Sequence, residues 1–478
     1  MANTTTPTQS TYQQDRIPFY GDIDSRDGLN LTKDQIFTNV FCESRVNNVT
    51  GERQMMLRKR PGMREIWTQE VRPIRGSISE SGRTFYAYGQ SVMELVNDVP
   101  TFRFNMDESL APVGFAVLPF QGDDQQYLIA SDGIKMYQFN MGTNTYTGEM
   151  VSGYPTPHVA QPVVIDGYLL VAKVGTGDVY SSQLEDLAVW DFIEAELYPD
   201  IIVGLSRYNN YIAAMGAESV EFFYDAAIED GSPFARNDSF VCPIGCAAPW
   251  ATVAVDQRLI WVGSTKEGGR SIWMMTDTKP TEISNNIIKE ALDTETFALA
   301  SARGFTIRVQ GHHFYVLCLS STTWVYDLKE RMWHRWTTGI GFGMPKYVLD
   351  PGGGYVRFIN PDKIYIFDPF YYVDSFALNT IQCLWQTDML DFKSMNRKFA
   401  IRLTIIGDTT SAPGDLNVSW TDDDYQTYKG NRTLKLNVQR PAITNMSYFR
   451  RRAWRFTYTG SGPLQLYAME LTYNIGGN

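Results

Sequence analysis

Seven times along this chain an apolar strand runs into a short polar or glycine-containing turn and out again into a strand rich in aromatics. Residues 83–96 read RTFYAYGQSVMELV, 126–139 QYLIASDGIKMYQF and 166–184 DGYLLVAKVGTGDVYSSQL. Residues 210–225 follow with NYIAAMGAESVEFFYD, and 258–275 with RLIWVGSTKEGGRSIWMM. The last two are 312–327, HHFYVLCLSSTTWVYD, and 355–368, YVRFINPDKIYIFD. In 210–225, Val220, Phe222 and Tyr224 alternate, which is the mark of a strand with one buried face, and the breaks carry turn chemistry. Five of the six intervals between hairpins are roughly 40–50 residues, the spacing of four-stranded propeller blades. The interval before His312 is longer.

That longer interval holds the one convincing helix, TEISNNIIKEALD, with Ser284 as cap and Ile287, Ile288, Ala291 and Leu292 on one face. The remainder to about residue 370 reads as strand and turn. We therefore expect an all-β chain whose residues 56–375 form a six- or seven-bladed β-propeller. A ring of blades removes exposed sheet edges by closing the sheets on one another. From about Gln382 the strands lengthen and leave the forty-residue spacing, as in KFAIRLTIIG and LQLYAMELTYN. Residues 376–478 are expected to be a separate antiparallel β-sandwich. Residues 1–55 are polar and turn-rich, and read as an arm or an outlying set of strands.

Charge narrows the partners. Lys and Arg number 42 against 53 Asp and Glu, a net charge of −11. Tight nucleic-acid binding needs the opposite balance, because affinity comes largely from cations displacing phosphate counterions. Passage of nucleic acid without adhesion remains compatible. The start, MANTTTPTQSTYQQD, is polar and does not read as a signal peptide, and no apolar run approaches the ~18 residues of a membrane helix. Five cysteines, Cys42, Cys242, Cys246, Cys318 and Cys383, read as reduced thiols of a chain made in the cytoplasm.

Reactive chemistry finds little footing. His312 and His313 point to opposite faces of a strand and cannot chelate one ion together. Cys242 and Cys246 lack a second pair of ligands and read as small buried side chains beside turns. The P-loop, G-x-S-x-G and H-E-x-x-H patterns are missing from the sequence. Residues 421–428, TDDDYQTY, are similar to the Asp-box turn of sialidases without its glycines; there the Asp bonds its own loop, so the segment argues for a hairpin. Paired carboxylates for glycoside cleavage could be chosen from many. No metal, cofactor or catalytic residue is expected. Two basic clusters, Arg58-Lys59-Arg60 and Arg450-Arg451-Arg452, read as solvated or ion-paired surface, or as contacts with an acidic neighbouring subunit.

The residues also carry a resemblance. LRKRPGMREI (57–66), followed by RGSISESGRTFYAYGQSVMELV, resembles the N-terminal signature of the tail hub, or nozzle, proteins of short-tailed bacteriophages, also called packaged-DNA stabilisation proteins. Arg58, Pro61, Gly62, Arg75 and Gly76 fit its LR-x-x-PG turn and following RG, with Gly89 and Leu95 more loosely placed. The segment DIIVGLSRYNNYIAAMGAESVEFFYD is similar to the family's middle blade. TEISNNIIKEAL with HHFYVLCLSSTTWVYDLKERMWHRW is similar to its helix and next blade, including Tyr326 and Asp327 of the T-x-V-Y-D run. The resemblance spans roughly 57–470, in order, and leaves out the N-terminal region. It implies a non-enzymatic virion tail protein made in the host bacterial cytoplasm. It implies a homohexameric ring below the tail adaptor protein, prolonging the channel through which genomic DNA passes unbound. Tailspikes or tail fibres would seat outside, a needle or plug would hold the genome, and Arg450, Arg451 and Arg452 would be candidate subunit contacts. The alternative from another class is a carbohydrate-active or carbohydrate-binding propeller of sialidase-like type.

Overall fold

The computed structural model describes residues 12–19, 37–46, 51, 53–119, 125–150, 153–184, 186–195, 200–228, 231–265, 268–295, 299–338, 343–350, 355–375, 379–410 and 414–476. Residues 1–11 of the polar start, and 20–36, lie outside these. The chain is all-β, with a single α-helix among the described residues. It divides into two compact units: residues 65–324 with 343–367, and residues 1–64 with 325–342 and 368–478.

In the first unit the hairpins are the middle pairs of antiparallel sheets. Ile74–Glu80, Arg83–Tyr88, Ser91–Val96 and Val99–Asn105 pair in chain order, and so do Gly114–Pro119, Gln126–Ser131, Met136–Asn140 and Thr145–Glu149. Val163–Ile165, Tyr168–Ala172, Asp178–Gln183 and Asp186–Glu194 form a third sheet, and Ile202–Tyr208, Tyr211–Gly216, Val220–Asp225 and Phe234–Cys242 a fourth. In the next, Arg258–Ser264 takes both Gly245–Cys246 and Val253–Val255 on one side and Arg270–Thr276 on the other, before Lys279–Glu282. Arg303–Val309 and His312–Cys318 begin a further sheet, and the unit boundary falls inside its next strand, Thr323–Asp327. The last sheet runs Tyr347–Leu349, Val356–Ile359, Lys363–Asp368 and then Gly62–Thr68, a strand from far earlier in the chain.

Burial explains why the middle strands dominate the sequence signal. Leu128, Ile129 and Ala130 are buried on both faces of their strand, as are Phe222 and Phe223, whereas the outer strand Thr145–Glu149 is largely exposed. A strand covered on both sides needs an unbroken apolar run. The first strands of successive sheets touch one another, 74–80 against both 114–119 and 347–349, then 114–119 to 163–165, on to 202–208, 253–255 and 303–309. Residues of these short inner strands line cavities.

Among its described residues the second unit holds a short pair, Val373–Asp374 with Asn379–Thr380, and two large sheets. In one, Gln465–Ile475 is flanked by Gln13–Pro18 and Arg53–Lys59 at different stretches and by Lys398–Gly407, with Val40–Val46, Ala442–Thr444 and Tyr448–Phe449 beyond. The other runs Met332–Trp336, Phe37–Thr38, Cys383–Gln386, Ala453–Tyr458, Asp415–Thr421 and Lys429–Lys435. Side chains of both sheets share one core, including Val40, Leu57, Trp385, Leu403, Val418, Phe456 and Leu471. Trp385 stacks on Phe456 at 5.2 Å. Burial of each such side chain stabilises the unit by roughly 1.5–3 kcal/mol.

The helix spans Asn286–Thr294 and buries Ile288 and Leu292. Its cap is Asn285, whose Oδ1 accepts from the Ile288 amide at 3.0 Å. Ser284, the cap expected from the sequence, instead accepts the Ile272 amide at 3.1 Å and so ties the helix approach to a strand. Two adjacent polar residues offered the same capping chemistry, and strand pairing took the first.

Candidate functional site

The inner strands of the first unit line two cavities. The leading residues of the inner strands line a space of about 520 Å³, among them Arg75, Gly114, Pro162, Trp250, Arg303 and Lys346. Trailing residues, including Glu80, Asp166 and Arg207, line a second space of about 640 Å³. Leading residues thus gather at one cavity and trailing residues at the other, so the inner strands run in the same sense.

Of the residues picked out in sequence, two line the first cavity. Arg75 is 2% exposed. Its Nε donates to the Ala111 carbonyl at 2.7 Å and its Nη1 to that of Gly89 at 3.1 Å, tying the inner strand to the loop before the next sheet. A Cβ on Gly76 would stand 1.9 Å from the Val113 carbonyl oxygen, so the backbone itself occupies the side-chain position. Both residues serve the close approach of neighbouring sheets.

The others stand in the second unit. Arg58 Nη1 pairs with Glu43 at 2.7 Å. That contact holds the Glu43 carboxyl below its ordinary range despite the opposing effect of burial. Lys59 and Arg60 are buried, and neither is the surface cation that the sequence reading expected. Lys59 Nζ donates to the carbonyls of Tyr372 at 2.7 Å and Gly460 at 2.6 Å. Burial depresses its pKa to about 8. Arg60 makes a two-pronged pair with Asp374, at 2.5 and 3.2 Å, and also donates to Asn39 Oδ1 and the Thr337 carbonyl. Such a fork-to-fork pair joins three distant segments of the unit at one point. Pro61 starts the tight passage into Gly62, where a Cβ would lie 2.0 Å from the Val373 carbonyl oxygen. Tyr326 packs on Trp333 with centroids 5.0 Å apart, and Asp327 Oδ1 accepts the amides of Lys329 and Glu330, closing the turn between two strands. The motif residues therefore hold turns and crossings together and do not converge on one site.

Within the arginine triplet, Arg450 Nη1 donates to the Met395 carbonyl and Arg451 pairs with Asp424 at 2.6 Å. Arg452 is fully buried, pairs with Asp422 at 2.7 Å, and lies over the Phe449 and Trp420 rings. It therefore cannot reach a neighbouring subunit, which leaves Arg450 and Arg451 as the members with exposed surface. In the 421–428 turn Asp423 Oδ1 takes the Thr427 amide at 2.9 Å and Thr421 Oγ1 at 2.8 Å. Bonds from Thr427 and Thr421 lower its pKa to about 2.

All five cysteines are free and buried. Burial raises Cys242 and Cys246 to about 11, and Cys318 and Cys383 to about 12, so these thiols stay protonated at neutral pH. His312 is buried and His313 faces out to Asp256 at 2.7 Å. Among the described residues no group of three or more His, Cys, Asp or Glu could hold a metal ion.

The sequence matches, over residues 34–347, the phage stabilisation family described as Bacteriophage P22 Gp10, beta-propeller. The chain belongs to that family. It is thus a phage structural protein of β-propeller type, and the carbohydrate-active alternative is not favoured. No curated protein matches the sequence. Among solved structures, the N-terminal domain of Nup159 aligns at 12% identity and a TM-score of 0.39, covering 70% of this chain and 98% of that one. A streptogramin B lyase aligns at 11% identity and 0.41, covering 69% and 97%, and BamB from Moraxella catarrhalis at 13% and 0.37, covering 66% and 90%. All three are loose likenesses. In this phage stabilisation protein, inner-strand glycines let neighbouring segments approach closely: a Cβ on Gly114 would stand 1.8 Å from the Ala160 carbonyl oxygen and one on Gly304 2.4 Å from that of Ala251. Their signal in the sequence is a glycine followed by an apolar or hydroxyl residue shortly before four of the seven hairpins, at Gly76, Gly114, Gly204 and Gly304.

Proposed function

We propose that this chain is the tail nozzle of a short-tailed phage, working as a homohexamer that prolongs the DNA channel below the tail adaptor. Membership of the phage stabilisation family is the observation that carries this reading. In it, the ring retains the packaged genome with a needle or plug, lets the DNA leave without specific binding, and seats tailspikes or tail fibres outside. The chain is made in the host cytoplasm and resides in the virion. Five buried, unpaired thiols suit that site of synthesis. A net charge of −11 suits a conduit that must not grip phosphates.

The architecture of the proposal is a seven-bladed propeller. Its blades are 74–105, 114–149, 163–194, 202–242, 245–282, 303–336, and 347–368 completed by 62–68. The two sheets that share a core make up a β-sandwich. In that frame Arg58, Pro61, Gly62, Arg75, Gly76, Tyr326 and Asp327 are architectural, and Arg450 and Arg451 are subunit contacts. Electron microscopy of the purified chain, alone and mixed with adaptor protein, tests the reading. Six-fold rings in the mixture are expected; a chain that stays monomeric with adaptor present would overturn it.

A further inference from the structure

Three cations line the cavity at the leading ends of the inner strands. Arg75, Arg303 and Lys346 come from three of the inner strands and their approaches, and all three line the same 520 Å³ space. None of them forms an ion pair among the described residues, in a chain whose net charge is −11. Most other Arg and Lys side chains of the same unit with comparable burial do have carboxylate partners: Arg83 and Arg103 with Glu94, and Arg357 with Asp98. Arg75 and Arg303 are buried and Lys346 is half-buried, and buried cations without a counter-ion are costly unless something supplies one.

The cations are also held in place. Arg303 is 9% exposed; its guanidinium lies 4.8 Å from the Trp250 ring centre and 5.8 Å from that of Tyr347, while Nη1 donates to the Ala302 carbonyl at 3.1 Å. Among the described residues Nε and Nη2 have no acceptor. Arg75 is fixed by two carbonyls, and its Nη2 is sealed from solvent with no acceptor either. Burial lowers the Arg75 pKa, and Asp132 nearby opposes that without pairing to it. Asp350 is the one carboxylate lining this cavity among the described residues, and it belongs to the trailing part of its strand. The opposite cavity carries Glu80 and Asp166 beside Arg207. The axis is therefore polarised, cationic at its leading mouth.

We propose that this mouth is an oxyanion site, taking a single carboxylate or phosphate group of a small ligand, with Arg303 and Lys346 as the direct donors and Arg75 supplying fixed positive charge behind them. A planar guanidinium presents a fork that matches two oxygens of such a group, and the flexible ammonium of Lys346 completes the charge. The volume suits a ligand of one or two sugar rings or a few side chains. The aromatic faces of Trp250 and Tyr347 keep the Arg303 fork in one orientation before the ligand arrives. This site stands on the cavity alone and does not depend on the nozzle reading.

Isothermal titration of the full chain tests it, with inorganic phosphate and glucuronate as probes and glucose as the neutral control. Saturable binding of at least one anion is expected, weakening as salt is raised, with none for glucose. Phosphate alone would point to a phosphorylated source and glucuronate alone to an acidic sugar. Arg303→Met and Lys346→Met should each weaken binding about tenfold or more, and Lys346→Arg should keep most of it. Melting temperature checks that each variant is folded. Should Arg303→Met fail that check, the Lys346→Met and Lys346→Arg pair decides. The proposal is overturned if neither anion saturates, or if a folded Lys346→Met chain binds as well as the parent.

Discussion

A methyl group at residue 76 would overlap the Val113 carbonyl oxygen, and one at 62 the Val373 carbonyl oxygen. Backbone cannot swing aside as a flexible side chain can, so either alanine must push two strands apart. Gly76→Ala and Gly62→Ala should each lower stability by about 1–3 kcal/mol or more, read as a drop in melting temperature. Gly269→Ala is the comparison, since its Cβ would meet nothing nearer than Thr265 at 3.7 Å. Equal melting temperatures for all three would show that the close approach is not what these glycines provide. The thiols give a pH test. Burial pushes Cys318 and Cys383 up to about 12, from an ordinary 9.0. A folded-state pKa above the unfolded one means that the unfolded chain loses its proton first. The stability so gained is fully present below about pH 9 and is lost as pH climbs towards about 12. Urea midpoints should fall between about pH 9 and 11, and fall less steeply for Cys318→Ala. Parallel curves would mean that other groups, such as the buried tyrosines Tyr86 and Tyr315, set the alkaline limb.

At the level of elements, the helix separates two kinds of polar residue. Asn285 caps it, while Ser284 serves a neighbouring strand. Asn285→Ala should cost about 1 kcal/mol of stability and raise amide exchange at Ile288, the group left without its acceptor. Unchanged exchange there would move the cap elsewhere. The same contrast explains what the sequence made legible. The middle hairpins could be read because both their faces are buried and the alternation is reinforced by runs such as LIA and LLVA. Outer strands such as Thr145–Glu149 are exposed and look like loop. The inner strand Val163–Ile165 is three residues long, too short to show any period. The cavity mouth was hidden for a further reason. Arg75 stands in a short motif, but Arg303 and Lys346 lie more than two hundred residues away, and nothing local links them. Lys59 and Arg60 look like surface in the sequence because they form a run of cations, while their partners, Tyr372, Gly460 and Asp374, are three to four hundred residues distant.

For the whole molecule, long-range pairing decides what can fold alone. The strand Gln465–Ile475 takes Leu57 and Arg58 against Leu466 and Gln465, and lays Gln13–Pro18 along its other stretch. Val40, Cys42 and Leu57 lie in the same core as Trp385, Leu403 and Leu471, with Met332 from a third stretch of chain. Arg60 is bonded to Asn39, Thr337 and Asp374, so one buried side chain reaches all three segments. A piece containing only residues 376–478 would lack Asp374, expose the edges that 13–18, 37–38 and 53–59 cover, and open the core on the side of Phe37 and Val40. Bare edges and exposed apolar faces favour association between chains over folding. Expressed alone, 376–478 should give poorly dispersed amide spectra and aggregate, whereas the full chain melts cooperatively. A monomeric fragment with a dispersed spectrum and a sharp thermal transition would show that the C-terminal strands carry their own core, and that the N-terminal strands are an addition to it.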